Sequence, residues 1–296
     1  MHLITGLNGI LSSALIQTFL ESAQEISVLT RGCDNPKQYP FCVIEADLLD
    51  LEQTSRCLED LKIDGIIHSA AAMHGVAISQ FDNAGNYLNS VMTRNLLKSL
   101  EGNLPERFVL VSSVDVYGPE AYQNPANESS ELNPVTDYGK SKLESEYLVE
   151  QWSETHKLSS LILRLTQIFG PNDRTHKFIP SVIRNIKSDQ PVDLFGEGED
   201  LRDYIFSRDA ARLVLDLYEK NAEGVYNLAT GTSRTLREVL NKIIFISGKK
   251  IEVRYKTRNR KRLDYRFDNS KLTSFLPDFK FSDFDKALRE TYDLIF

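Results

Sequence analysis

Two short stretches carry residue types able to do chemistry together: Ser112-Ser113-Val114-Asp115-Val116-Tyr117-Gly118 and Tyr138-Gly139-Lys140-Ser141-Lys142. Tyr138 and Lys142 stand four positions apart, and on a helix such positions share a face. A phenol ordinarily ionises near pH ~10, too high for a base at neutrality. An ammonium beside it favours the phenolate and makes a group that takes a proton from a sugar or alcohol hydroxyl. Ser113 ends an apolar run, Phe108-Val109-Leu110-Val111, and is placed to hold the same hydroxyl from the other side. A Tyr-x-x-x-Lys spacing also arises by chance on exposed helices, so its weight depends on the elements that position it.

Those elements begin at the first residues. His2 to Thr5 reads as a strand, followed by Gly6-Leu7-Asn8-Gly9-Ile10-Leu11-Ser12 and a helical pattern through Leu15 and Phe19. Strand, glycine turn and helix form the context of a dinucleotide fingerprint. Free N–H groups and the positive dipole end of the helix face a pyrophosphate there. Gly6, Leu7, Asn8, Gly9 and Ile10 are therefore candidate cofactor contacts, with Ser12 standing where a third glycine is usual. Ile26 to Thr30 is expected to be the second strand. It ends without the acid that would bind a ribose 2′-hydroxyl; Arg31 follows and suits a 2′-phosphate, which favours NADP over NAD. Phe41 to Glu45 leads to Asp47-Leu48, placed to meet the adenine. Asp64 to Ala72 is a buried strand running into small residues, of which Ala70 and Ala71 let a ribose or nicotinamide lie close. His68 reads as a packed histidine. Apolar residues at helical spacing fill Phe81 to Leu100.

This alternation predicts an α/β fold, a doubly wound parallel sheet of Rossmann type, with a smaller C-terminal α/β substrate lobe. The expected division is 1–165 plus about 203–230 for the dinucleotide-binding domain, and 166–202 with 231–296 for the lobe. A helix is expected over Phe178 to Lys187, Val225 to Gly231 is expected to rejoin the main sheet, and the tail reads as short helices with one strand near Ile251.

Bulk properties exclude several classes. The 296 residues, with 41% hydrophobic and 26% charged, are ordinary for a globular protein, and the net charge of −7 gives no nucleic-acid surface. The basic stretch Lys256 to Arg266 reads as a solvated loop or edge strand. The three cysteines, Cys33, Cys42 and Cys57, form no Cys-x-x-Cys pair and read as reduced thiols. No metal site, membrane span or signal peptide is expected, and the location expected is cytoplasmic.

In order along the chain, the motifs resemble the extended short-chain dehydrogenase/reductase family, the NAD(P)-dependent nucleotide-sugar epimerases, dehydratases and reductases. They are Thr5-Gly6-x-x-Gly9, Asp47-Leu48, His68-x-Ala70-Ala71, Asn89 with Thr93-x-Asn95-Leu96-Leu97, Ser113-x-x-Val116-Tyr117-Gly118, Tyr138-x-x-x-Lys142, Arg164 with Phe169-Gly170-Pro171, and Arg202-Asp203-Tyr204-Ile205. The resemblance implies Tyr138 as acid/base, Lys142 as the residue that lowers its pKa and holds the nicotinamide ribose, and Ser113 on the reacting oxygen. It further implies Phe195 against the nucleotide base and Arg202 on the diphosphate, with Gln167 and Lys177 as further substrate contacts, and a homodimer built on two long helices per subunit.

Val114-Asp115 departs from the acidic pair that dehydratases of this family carry, which disfavours dehydration. Asp115 remains a candidate acid/base, and His176 its possible partner. What remains needs only Tyr138, Ser113 and the cofactor: hydride transfer at the sugar C4, as a nucleoside-diphosphate 4-keto-6-deoxysugar reductase, with a 4-epimerase as the alternative. A non-catalytic cofactor-binding regulator on the same fold is disfavoured by the presence of Ser113, Tyr138 and Lys142 together.

Overall fold

The computed structural model describes residues 1–72, 88–258 and 261–295. The first half runs β1 (His2–Thr5), α1 (Ile10–Glu21), β2 (Ile26–Thr30), β3 (Cys42–Glu45), α2 (Leu51–Leu58), β4 (Gly65–His68), α3 (Leu88–Ser99), β5 (Arg107–Ser113), α4 (Asp137–His156) and β6 (Ser159–Leu165). The second half runs β7 (Gln167–Phe169), α5 (Phe178–Lys187), β8 (Val192–Phe195), β9 (Leu201–Phe206), α6 (Ser207–Glu219) and β10 (Gly224–Leu228). It ends with β11 (Ser233–Thr235), α7 (Leu236–Ser247), β12 (Val253–Lys256), α8 (Ser270–Phe275) and α9 (Phe284–Leu294).

Seven strands form one parallel sheet in the order β10-β6-β5-β4-β1-β2-β3. Its central strands are apolar along their length because helices cover both faces. Side chains alternate between those faces. Ile4, Ile67, Val109 and Leu161 pack with Leu15 and Phe19 of α1 and Leu213 and Leu217 of α6. Leu3, Ile66, Phe108 and Ile162 pack on the other side with Leu58 of α2, Leu96 and Leu97 of α3, and Trp152 of α4. The strand order reverses between β1 and β4. Such a switch point opens a crevice beyond the strands' C-terminal ends, and Gly6, Ala70 and Ser113 all follow or end strands at that edge.

After β6 the chain leaves this sheet. β7 and β9 pair in parallel with β11 antiparallel to β9, and β8 pairs in parallel with β12. These strands enclose a further apolar core of Phe169, Ile179, Ile183, Leu194, Tyr204, Leu240 and Leu288. β10 then returns beside β6, as expected for Val225 onward. The tail holds the strand expected near Ile251, as β12, but α7 is a full 12-residue helix where short ones were expected, closed by Gly248 in the left-handed region (φ 65°). The helix expected over Phe81 to Leu100 is described from Leu88; its earlier part lies outside the described residues. Charges in the basic stretch are largely paired: Lys256 with Asp193, Arg258 with Glu199 and Asp200, and Arg262 and Arg266 with Asp264.

No helix among the described residues is long and apolar enough to cross a membrane. Among the described residues no group of three His, Cys, Asp or Glu side chains is arranged to hold a metal ion.

Candidate active site

The floor of the crevice is the turn after β1. Gly6 takes φ 90°, and a Cβ there would lie 3.3 Å from the Ala70 Cα, so only glycine lets the two loops approach in this conformation. Gly9 is the N-cap of α1, with no side-chain cap and no acid in the first turn. The helix therefore presents its N–H groups and dipole unopposed, a cradle that suits a pyrophosphate. Ser12 fits the third position because its hydroxyl pairs with that of Ser69 at 3.1 Å, and Ser69 donates to the Thr5 carbonyl at 2.7 Å. Leu7 is turned into the core, so only its backbone faces the cradle. Leu48 is likewise a core residue. Asp47 is partly buried and one of its carboxylate oxygens accepts from the Leu49 N–H at 3.0 Å. Arg31 is exposed immediately past β2.

The reactive group is built where α4 meets the end of β5. Thr136 caps α4 by accepting from the Gly139 N–H at 3.0 Å. Gly139 is required by a close approach: a Cβ there would overlap the Asp115 carbonyl oxygen, with the Pro134 Cβ at 3.0 Å. That approach brings Tyr138 to Ser113, whose side chain hydrogen-bonds the phenol. Lys142, 3% exposed, donates from Nζ to the Val111 carbonyl at 2.9 Å.

The electrostatics correct one expectation. The phenol was expected to be shifted down by Lys142. Burial instead pushes Tyr138 up, the Asp115 carboxylate pushes it further, and the Ser113 hydrogen bond only partly opposes them. One N–H of the ammonium goes to a backbone carbonyl, and burial brings Lys142 itself down to about 8 against the opposing charge of Glu146.

His68 packs beneath this centre, as expected. Its Nδ1 meets the Thr5 hydroxyl at 2.8 Å and its Nε2 the Thr93 hydroxyl at 3.1 Å. The Ala70 N–H donates to Thr5 Oγ1, and Thr93 lies 3.1 Å from the Ser145 hydroxyl on α4. Assigning the Nε2–H tautomer satisfies every partner with a neutral ring. Burial first, then the Lys142 charge, lowers this histidine to about 3. Asn89 on α3 adds a second strap: its amide bonds both the Ala72 N–H and carbonyl and donates to Ser141, which donates to the Tyr138 carbonyl at 2.7 Å. The loop after β4 and the tyrosine helix are thereby held to one another.

On the substrate side the sequence candidates divide. Lys177, the N-cap residue of α5, is lowered by burial and raised by Asp173 and Asp115, which puts it in the field of the same carboxylate as Tyr138. His176 is exposed, and the basic neighbour on which the Asp115 charge acts is Lys177. Gln167 begins β7 opposite Tyr204 of β9. Arg202 is 9% exposed; its Nη1 donates to the Leu201 and Leu263 carbonyls and its guanidinium lies 4.5 Å over the Tyr265 ring. Phe195 is 52% exposed on the outer face of β8, beside Lys256 of β12, rather than part of a core.

Tyr122 escaped the sequence reading. Its hydroxyl donates to the Val114 carbonyl at 3.0 Å, its ring meets Tyr265 edge-on at 4.7 Å, and its titration feels both Asp115 and Arg202. It links the turn after β5 to the Arg202 region. No periodic signal marked it, because it sits in a single five-residue 3-10 turn, Pro119–Gln123.

A parallel doubly wound sheet, a glycine cradle at its switch point and a Ser-Tyr-Lys centre beside it define a dinucleotide-dependent α/β protein. The model of the NAD dependent epimerase/dehydratase family matches residues 2–229, and the chain belongs to that family. It is 27% identical over 270 residues to a dTDP-glucose 4,6-dehydratase of Neisseria gonorrhoeae, covering 81% of this chain and 76% of that one. Among solved structures it is similar to a UDP-glucuronic acid 4-epimerase from Bacillus cereus in complex with NAD (25% identity, TM-score 0.85, 99% of this chain and 98% of that one). It also shares its fold with a Thermus thermophilus UDP-glucose 4-epimerase in complex with NAD (24% identity, TM-score 0.86, 99% and 98%).

Proposed function

We propose that this chain is a reductase that delivers hydride to C4 of a nucleoside-diphosphate 4-keto-6-deoxysugar, with NADPH as the preferred donor. The observation that carries the reading is the buried Tyr138, hydrogen-bonded to Ser113 and in the field of Asp115. Burial and Asp115 push its phenol up, which favours the protonated form that donates to a ketone oxygen as charge builds there. Oxidation of an alcohol, the first half of epimerisation, asks instead for a phenolate.

When bound, a nicotinamide dinucleotide supplies the hydride. The turn Gly6–Ile10, Ala70, Ala71, Asp47 and Lys142 would hold it, with Arg31 on a 2′-phosphate. Ser113 donates to the substrate oxygen and orients it towards Tyr138, which gives up its proton. Lys142, charged below about pH 8, stabilises the phenolate that results. Arg202 and Lys177 serve the diphosphate, Phe195 offers an exposed aromatic face to a base, and Gln167 lines the sugar. Val114, 2% exposed and packed in an apolar cluster, offers no proton where dehydratases place an acid, so elimination of a C6 hydroxyl is disfavoured.

A second reading, 4-epimerisation with retained NAD, is favoured by the likeness to the Bacillus cereus 4-epimerase. Spectrophotometry with keto-sugar and glycosyl nucleotides separates the two: a reductase oxidises NADPH stoichiometrically, whereas an epimerase shows no net consumption. Tyr138→Phe should lower turnover by about 10²-fold or more with the fold intact by circular dichroism. Turnover unchanged in that variant refutes the assignment.

A further inference from the structure

Three residues of α4 meet three successive residues of β5. Tyr138, Lys142 and Glu146 stand at i, i+4 and i+8, one face of the helix. Ser113 hydrogen-bonds Tyr138, the Val111 carbonyl accepts from Lys142, and the Ser112 hydroxyl donates to the Glu146 carboxylate. Behind Glu146 stands Arg164 of β6, its Nη2 at 2.7 Å from Oε2 and its Nε at 3.2 Å from both carboxylate oxygens. Arg164 is itself locked. Its Nη1 donates to the Tyr117 hydroxyl and the Glu128 carbonyl, each at 3.1 Å, and its guanidinium lies 5.0 Å over the Tyr117 ring. Glu146 and Arg164 are 1% and 3% exposed. An ion pair so deep adds little stability over apolar side chains of equal volume. This one lies a single helical turn from the ammonium of the reactive centre.

We propose that Glu146, clamped by Arg164, is a positioning residue for Lys142: it seats the reactive face of α4 on β5 and supplies the negative field that keeps the ammonium charged. The proposal rests on the reading that Tyr138 and Lys142 carry the chemistry. The groups around Lys142 make the field necessary. His68 faces it from β4 and is neutral; Tyr138 shares its helix and is protonated; Asp115, on the turn after β5, faces Tyr138. Arg164 and Glu150 act on Glu146 from β6 and from the next turn of α4. Burial works against the ammonium, and the opposing charge comes from Glu146.

The test is the titration of Lys142 itself, read from lysine 13Cε shifts in the protein without cofactor and assigned with Lys142→Arg. The wild-type midpoint is expected at about 8. Glu146→Gln keeps the shape and hydrogen-bonding length but removes the charge, and should move the midpoint down by about one pH unit or more. A folded Glu146→Gln protein that titrates like wild type overturns the proposal. Should Glu146→Gln not fold, the wild-type Lys142 midpoint decides: it should lie at about 8, and a midpoint about one pH unit or more lower shows burial unopposed and overturns the field. Turnover of Tyr138→Phe tests the underlying reading separately, since it leaves the Lys142 titration in unliganded protein free to give its own answer.

Discussion

Replacing Gly139 by alanine tests how the reactive centre is assembled. In a helix interior this exchange ordinarily stabilises by about 1 kcal/mol. Here the sign should reverse. The added methyl would overlap the Asp115 carbonyl oxygen and stand 3.0 Å from both the Asp115 carbonyl carbon and the Pro134 Cβ. Restoring ordinary contact requires the start of α4 and the turn after β5 to part by roughly 1 Å. Overpacking of that kind costs about 1–3 kcal/mol; less the helix-propensity gain, the net loss is up to about 2 kcal/mol, which lowers Tm by a few degrees for a chain of this size. The same displacement carries Tyr138 away from Ser113, and a misplacement of about 1 Å costs on the order of 10²-fold in rate. Urea unfolding and turnover with the keto-sugar nucleotide read both effects. Gly102→Ala is the control, since nothing lies within 4 Å of a Cβ there, and it should stay within about 0.5 kcal/mol of wild type. A Gly139→Ala protein as stable and active as wild type refutes the close-approach argument.

Two further outcomes are expected. His68 is lowered to about 3 in the fold, so between that value and its ordinary value near ~6.5 the unfolded chain binds a proton that the folded one does not. Its contribution to stability is therefore present above about pH 6.5 and is lost as pH falls, at up to about 1.4 kcal/mol per pH unit. Unfolding curves of His68→Gln between pH 4 and pH 6 should show a slope shallower by about that amount, and parallel slopes for the two proteins contradict a neutral buried ring. Arg31→Ala should weaken NADPH by about tenfold while leaving NADH nearly unchanged in fluorescence titrations; equal losses for both place the 2′-phosphate elsewhere.

Much of the fold was legible because its signals are local. Apolar runs punctuated by glycine marked β1 and β2 at their observed limits, and the spacing of Phe178, Ile179, Val182, Ile183 and Ile186 marked α5. The Tyr-x-x-x-Lys pair was legible as a shared helical face. Its electrostatics were not, because they depend on what the face packs against: Lys142 turns to a strand carbonyl, and Asp115, close in space, raises the phenol rather than lowering it. Glu146 was missed for the same reason, as its partners Ser112 and Arg164 lie on other elements and leave no periodic trace. Arg202 was marked by its motif, yet its commitment to two backbone carbonyls and to Tyr265 follows only from the path of the chain near Leu263.

The late return of β10 has a consequence for biogenesis. β6 is paired on one side by β5, and its other side is covered only when Gly224–Leu228 arrive, some sixty residues later. Until then a growing chain exposes the flank of a strongly apolar strand, the kind of template on which neighbouring chains misassemble. Arg107 shows how the seam is later closed: it donates to the carbonyls of Tyr218 and Ala222 just ahead of that last strand. A nascent polypeptide arrested before residue 224 should therefore need chaperone shelter that the finished molecule does not.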